Sequence, residues 1–221
     1  MIDNEIKSEF SDFGRKMRII GICLILMIIP IVNIIALIAV FIYQIKALSN
    51  IKKINLKLEK KKLRSFYDHF LISIIIIIIG ITILIVLTLN FMYMSNRIIE
   101  YYKKPKEAQE RLDVLYGDYQ HALELLLLIV VYFAGIIQIL AWSKFKSFFN
   151  ENIKEFPAHI ASDTFVGCSL LKISLLFGLI ASFLGLAGLI FYLGFGIILI
   201  ILQVLGYFRL SHLRDLQNAE P

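Results

Sequence analysis

The sequence predicts an all-α fold: a polytopic helical membrane protein with five to six membrane-embedded segments and an interfacial amphipathic helix. Hydrophobic residues make up 59% of the 221 residues, against roughly 45–50% in soluble domains, and the mean hydropathy is +0.79. Residues 71–89 carry no charge over about the 20 residues that a helix needs to cross a bilayer. This composition excludes soluble globular domains, disordered chains and disulfide scaffolds.

Five apolar segments follow one another within what we expect to be one membrane domain, residues 1–221. They cover about 17–48, 69–94, 121–142, 165–186 and 188–208. Glycines at 185 and 188 separate the last two segments, and glycine enters tight turns without a steric penalty. We therefore expect a helical hairpin there. The polar stretch 95–120, with five acids and five bases, is expected to be an extracytoplasmic loop containing a short helix between Pro105 and Gly117.

The first segment, 17–48, has two interpretations because Pro30 lies in its middle. It is either one kinked helix or a re-entrant hairpin that turns back near Pro30. The hairpin places 17 Lys and Arg residues on one side of the membrane against five on the other, whereas a single crossing gives 13 against nine. The positive-inside rule therefore favours the hairpin, with both chain ends cytoplasmic in a cell membrane. Two arms of about 15 residues would reach only some 22 Å each, which is too short to cross.

Residues 44–67 form a strongly basic stretch that we expect to be a cytoplasmic loop. It contains eight cations against the single acid Glu59; the cations are Lys46, Lys52, Lys53, Lys57, Lys60, Lys61, Lys62 and Arg64. Aliphatic residues rather than base-stacking aromatics separate them, which disfavours binding to nucleic acid. The expected partner is the anionic surface of the lipid bilayer.

The interfacial helix is predicted over 143–156, before Pro157. Its phenylalanines fall on one helical face and its charges away from it, so we expect this face to lie on the inner leaflet. The phenylalanines are Phe145, Phe148, Phe149 and Phe156. Ser162 and Asp163 are then expected to cap the next transmembrane helix.

A short pattern occurs twice, at 138–145 and at 203–210. Each copy begins with a glutamine and places an aromatic residue, Trp142 or Tyr207, two positions before a cation. Such aromatic residues are typical membrane-interface anchors, so both helices should leave the membrane on the same side. A duplicated half of the chain is the alternative interpretation.

Four polar residues inside or beside the apolar segments are candidates for an intramembrane site: Asn33, Gln138, Lys172 and Gln203. Polar groups in a bilayer are costly and need a partner or a water-filled path. Hydrogen bonds between helices are the simpler use of the amides. Lys172 is the cation that lies well within a segment and is the candidate for a substrate or ion.

His121 and Glu124 are three residues apart on one predicted helix and form a weak candidate pair for relaying a proton or binding a metal. One such pair supplies only half of a metal site. Known catalytic motifs are missing from the sequence, and Cys23 and Cys168 lack metal-binding spacing. We therefore expect a protein that is not an enzyme and has no cofactor.

Small residues recur along the fourth segment at Ser174, Gly178, Ser182 and Gly185. In lipid, small side chains allow helices to approach closely. The sequence therefore predicts a helix-packing stripe, used either within the chain or between copies of a homo-oligomer.

Two parts of the chain resemble a known family. Ile29-Pro30 precedes an apolar arm ending Ile45-Lys46-Ala47-Leu48, and Phe66-Tyr67-Asp68-His69-Phe70 enters a helix; near the end, the aromatic helix 145–156 precedes a hairpin ending Gly206-Tyr207-Phe208. Together they resemble an archaeal family of multi-pass membrane proteins, the domain of unknown function nine-nine-six. Asn33 stands where that family tends to have glycine. The resemblance implies a multi-pass membrane fold and assigns no activity.

Two classes of function remain open from the sequence. The first is a non-enzymatic structural or accessory subunit of a membrane assembly, bound to other membrane subunits or to its own copies. The alternative is a small transporter or channel, favoured by the broken first segment and by the repeated pattern.

Overall fold

A computed structural model of the chain describes residues 3–102, 105–184 and 189–217. These residues form six α-helices and two short 3-10 helices, without a strand among them. The α-helices are α1 (Asn4–Leu26), α2 (Asn33–Leu58), α3 (Lys61–Tyr101), α4 (Pro105–Glu151), α5 (Ala158–Leu184) and α6 (Leu189–Leu210); the 3-10 helices are Ile153–Glu155 and Ser211–Gln217. The all-α prediction is confirmed. Five helical stretches are long and apolar enough to cross a membrane: α2, α3, α4, most of α5, and Gly196–Gln217, which runs from α6 into the second 3-10 helix.

The first apolar segment turns back on itself, because α1 and α2 pack against each other and the chain reverses over residues 27–32. Pro30 lies in this turn, where its missing N–H and its ring would break a continuous helix. The two helices have 23 and 26 residues, so each is longer than the arm of about 15 residues that the sequence predicted. Both helices continue beyond the apolar segment because each has a buried face, formed by residues such as Phe10 and Ile51.

The basic stretch is therefore helical, and the prediction of a loop over 44–67 is wrong. Only Glu59 and Lys60 separate α2 from α3. Glu59 has a left-handed backbone, with φ 50°, and its N–H closes the last turn of α2 on the Asn55 carbonyl. This residue ends α2 in the conformation that is common just beyond a helix C-terminus.

The expected loop over 95–120 is also mostly helical. Helix α3 continues to Tyr101, and α4 begins at Pro105, which suits the first helical position because proline has no N–H to satisfy there. Gly117 does not end this helix, which runs on to Glu151. The interfacial helix predicted over 143–156 is thus not a separate element: residues 143–151 are the last turns of α4.

The structure comprises two compact units, residues 1–72 with 135–221 and residues 73–134. The core of the first unit is an aromatic cluster in which every ring is at most 6% exposed. Its members come from α1, α3, α4, α6 and the segment after α4: Phe10, Phe13, Phe66, Phe70, Trp142, Phe145, Phe148, Phe149, Phe156 and Tyr207. This aromatic part of the core therefore lies near the charged ends of these helices.

Burial of these rings overturns two sequence predictions. Phe148 and Phe149 do not face lipid, because Phe10 of α1 packs on both, with ring centroids 6.1 and 5.7 Å away. Trp142 and Tyr207 are not membrane-interface anchors, because their rings contact each other at 6.3 Å inside the cluster. Residues predicted to bind the membrane instead hold four helices together.

Helices α5 and α6 form the predicted hairpin, whose glycine turn at 185–188 lies outside the described residues. The two helices approach each other closely at Gly167 and Gly206. A Cβ atom at Gly167 would lie 2.9 Å from the Gly206 carbonyl oxygen, so the two backbones are in direct contact. The C-terminal 3-10 helix then packs on α1, where Ser11 Oγ donates to the Arg214 carbonyl at 2.7 Å.

The second unit consists of parts of α3 and α4 packed antiparallel. Thr88 and Tyr119 form a hydroxyl–hydroxyl hydrogen bond of 3.1 Å, and the Tyr119 ring stacks on Phe91 at 4.6 Å. Large apolar side chains cover the outer surface, such as Leu125 at 61% and Phe133 at 60% exposure. An exposed apolar surface of this kind suits a lipid environment.

Candidate functional site: a basic groove between α2 and α3

The eight cations of the basic stretch have different environments. Three of them form ion pairs with acids of other helices: Lys53 with Glu9 at 2.9 Å, Lys57 with Glu5, and Lys62 with Glu151 at 3.7 Å. Lys46 lies over the ring of Tyr43. We call Lys53, Lys57 and Lys62 the paired lysines. Their partners belong to α1 and α4, so these pairs lie at helix contacts.

A polar network joins α1 to α2 beside the paired lysines. Asn50 is only 2% exposed; its amide donates to Glu9 Oε2 at 2.5 Å, and its oxygen accepts from Lys16. Burial alone would raise the pKa of Glu9, but hydrogen bonds from Lys53 and Asn50 outweigh burial and hold this pKa below 4.5, the ordinary value. Burial also lowers the pKa of Lys16.

The other four cations line an open groove where α2 meets α3. Its volume is about 700 Å³, and a smaller hollow of about 290 Å³ adjoins it. We call this feature the basic groove; its lining residues are Lys52, Asn55, Leu56, Glu59, Lys60, Lys61, Arg64, Ser65, Tyr67 and Asp68. The groove is formed by the tight junction at Glu59 and Lys60, which brings the last turns of α2 beside the first turns of α3.

The cations of the basic groove are poorly neutralised. Lys52, Lys60 and Lys61 are exposed and form no ion pair within the part of the chain that the structure describes. Arg64 lies 3.9 Å from Asp68, and both side chains are more than half exposed. Such a surface pair adds little stability and neutralises the cation only partly. The groove therefore has positive charge available for an anion.

One side chain at the groove has an unused hydrogen-bonding atom. Asn55 Oδ1 is buried and has no hydrogen-bond partner among the described residues. A buried acceptor without a donor costs about 1–3 kcal/mol. The Asn55 oxygen is therefore a local cost to stability beside the groove.

The structure does not bring together the four polar residues proposed as an intramembrane site. Asn33 is exposed at the start of α2, and Gln138, Lys172 and Gln203 are partly buried on α4, α5 and α6. Hydrogen bonds between any two of them are missing from the described part of the chain. Another amide, Gln44 of α2, does form an interhelical hydrogen bond: it donates to the Tyr207 hydroxyl of α6 at 3.5 Å.

The small-residue stripe faces the neighbouring helix of the same chain. Ser174 is fully buried, and a Cβ atom at Gly178 would lie 2.8 Å from Leu199 Cδ1 of α6. Ser182 donates to the Leu179 carbonyl of its own helix, and Gly185 lies outside the described residues. Gly178 thus packs within the hairpin, as in the intramolecular interpretation of the stripe.

His121 and Glu124 are exposed on α4 without a third ligand. Groups of three or more His, Cys, Asp or Glu residues that could hold a metal are not found in residues 3–102, 105–184 and 189–217. Both cysteines are buried and free. The pair remains a prediction from spacing alone.

Sequence reasoning missed two contacts that position the end of α6 and the C-terminal 3-10 helix. Asp163, expected to cap a helix, lies inside α5, where its carboxylate accepts from Arg209 and from His212 Nδ1, each at 2.5 Å. Gly14 of α1 packs directly on the backbone of Leu213 and Arg214. The sequence does contain both residues, Gly14 in α1 and Asp163 beyond the first turn of α5. Their contacts could not be predicted, because the helix that packs on each of them is not known from the sequence.

No protein-family model matches the chain, and neither a curated protein nor a solved structure is found to be similar to it.

Proposed function

We propose that the chain is a non-enzymatic integral membrane protein that serves as a structural or accessory subunit of a membrane assembly. In this proposal, the apolar parts of α2 to α6 lie in the bilayer of the cell membrane. The charged helix ends, with both chain termini and the basic groove, lie on the cytoplasmic side.

The position of the core is the observation that carries this proposal. In the first unit the aromatic cluster ties α1, α3, α4 and α6 together at their charged ends, with rings such as Phe66 and Phe145 only 4.6 Å apart. Tightly packed aromatic side chains give a rigid body rather than a cavity for a substrate. A closely packed, rigid core in the first unit suits a protein that holds other components at the membrane.

The turn between α1 and α2 supports the bilayer placement of this hairpin. Ile31 is 91% exposed and Ile34 is 72% exposed, whereas the opposite end of the hairpin carries the Glu9 network. Large aliphatic side chains at this exposure are unfavourable in water. We infer that the turn is embedded in lipid and that the hairpin returns to the side from which it entered.

Purification from native membranes in mild detergent, followed by native mass spectrometry, tests the proposal. We expect the chain in a complex of fixed stoichiometry with another membrane protein. An unrelated multi-pass protein carrying the same tag is the control for adventitious capture. Recovery of the chain alone, or with its own copies only, would contradict an accessory role.

A small transporter or channel is the second candidate, favoured by the break between α1 and α2. Discontinuous helices with polar residues at the break are common at transporter binding sites, and Asn33 lies at this break. Flux assays in proteoliposomes distinguish the two candidates. Solute or ion flux that Asn33→Leu abolishes, while Asn4→Leu at the polar end does not, would favour the transporter.

A further inference from the structure

We propose that the basic groove is a binding site for the phosphate headgroup of an anionic phospholipid. The inference rests on the proposed placement of the chain in a bilayer and adds to it a specific site and ligand class. It differs from a general attraction to the membrane because only some of the cations of the basic stretch take part.

The division of the cations is the first step. The paired lysines are occupied by carboxylates of α1 and α4, whereas Lys52, Lys60 and Lys61 face the groove without an acid partner in the described ranges. The groove therefore has four cations, including Arg64, against the two acids Glu59 and Asp68. A phosphate anion placed there would meet several charge-assisted donors at once.

The position of the groove along α3 is the second step. Arg64 precedes Leu71, the first residue of the charge-free run, by seven residues, or about 10 Å of helix. The headgroup layer is some 5–8 Å deep on each side of the hydrocarbon core, and a long cationic side chain can reach across the difference. The groove therefore lies at headgroup depth if α3 enters the bilayer near Leu71.

The neutral residues of the groove suit a lipid better than a free anion. Leu56 is 70% exposed between the lysines, where an acyl chain or glycerol backbone could cover it. Phosphatidylglycerol combines an anionic phosphate with acyl chains and is the appropriate probe.

Calorimetric titration of the full chain in nonionic detergent tests the site. The probe is short-chain dioctanoyl phosphatidylglycerol, and the groove variant is Lys52→Gln/Lys60→Gln/Lys61→Gln. A matched variant removes three cations of the same unit that do not line the groove, Lys7→Gln/Lys144→Gln/Lys154→Gln. Each cation beside an anionic lipid adds to the affinity, so we expect the groove variant to bind at least about tenfold more weakly and the matched variant to bind within about twofold of the parent.

Two further titrations identify the source of the phosphate. Glycerol phosphate tests a free anion, and dioctanoyl phosphatidylcholine tests acyl chains with a neutral headgroup; both should bind much more weakly than phosphatidylglycerol. Equal losses in the two triple variants, no loss in the groove variant, or no saturable binding would overturn the proposal. Equal affinity for glycerol phosphate would overturn the lipid assignment. These outcomes do not depend on a protein partner, so they are separate from the test of the accessory role.

Discussion

The amide of Asn50 donates a hydrogen bond to the Glu9 carboxylate, 2.5 Å away, and thereby joins α2 to α1 at the polar end of their hairpin. Five residues further along α2, Asn55 has a buried oxygen with no partner in the described chain. The two asparagines thus differ in whether their polar atoms are satisfied, and they should respond in opposite ways to the same substitution.

Asn50→Leu is expected to destabilise the protein because it removes the hydrogen bonds of Asn50 to the Glu9 and Lys16 side chains at a buried position, at a cost of about 1–3 kcal/mol. Asn55→Leu removes an unsatisfied acceptor with a side chain of similar volume, so stability should stay equal or rise. Thermal unfolding of both variants in the same detergent is the measurement. A lower midpoint for Asn55→Leu than for Asn50→Leu would contradict the hydrogen bonding described.

The pH dependence of stability should include a contribution from Glu9. Its pKa is lowered in the folded chain, so the ionised form stabilises the fold. This contribution is complete above the unfolded value of 4.5 and is lost as the pH falls through the lower, folded value. Glu9→Gln should therefore lower the midpoint temperature of unfolding at pH 7. As the pH falls below about 4.5, this midpoint should decrease less in the variant than in the parent. Parallel pH profiles for the two proteins would be inconsistent with this account.

The packing of α5 on α6 predicts different effects at two glycines. Gly167→Ala places a Cβ 2.9 Å from a backbone oxygen, a contact that requires the helices to separate, so this variant should unfold at lower temperature. Gly196→Ala meets no atom within 4 Å and should be neutral or slightly stabilising, since alanine is the better helix former. Similar melting curves for both variants would mean that the helices do not approach as described.

The aromatic cluster predicts a large effect at Phe149, which is fully buried. Truncation of such a residue costs about 3–5 kcal/mol, so Phe149→Ala should lower the midpoint of unfolding strongly. Phe133→Ala, at a site that is 60% exposed on the same helix, is the matched control and should change it little. If Phe149 faced lipid, the two variants would behave alike.

Much of the fold could be predicted because apolar segments of about 20 residues have few alternatives to a helix. Pro30 correctly indicated the place where the chain turns back. The ends of the helices could not be predicted, because residues 49–58 and 143–151 are helical through the burial of one face against other helices. Phe148 shows the difficulty: an amphipathic pattern says that a face is buried, but it does not say whether lipid or protein buries it.

The candidate site was only partly predictable for a similar reason. The sequence contains a basic stretch, and the anionic lipid surface that we expect as its partner stays a prediction. It could not separate Lys53 from Lys52, because the partner of Lys53 is Glu9, 44 positions away. The contacts of Asp163 and Gly14 likewise depend on residues about 50 and 200 positions later in the chain.

The return of the first hairpin to its side of entry is the central claim, and cysteine labelling tests it most directly. Single cysteines at Asp3, Ile31 and Lys60 are treated with an impermeant maleimide in intact and in permeabilised cells; the native Cys23 and Cys168 are buried. We expect Asp3→Cys and Lys60→Cys to be protected in intact cells and to be labelled after permeabilisation. Ile31→Cys should resist labelling in intact and in permeabilised cells. Labelling of Asp3→Cys but not Lys60→Cys in intact cells would contradict the account.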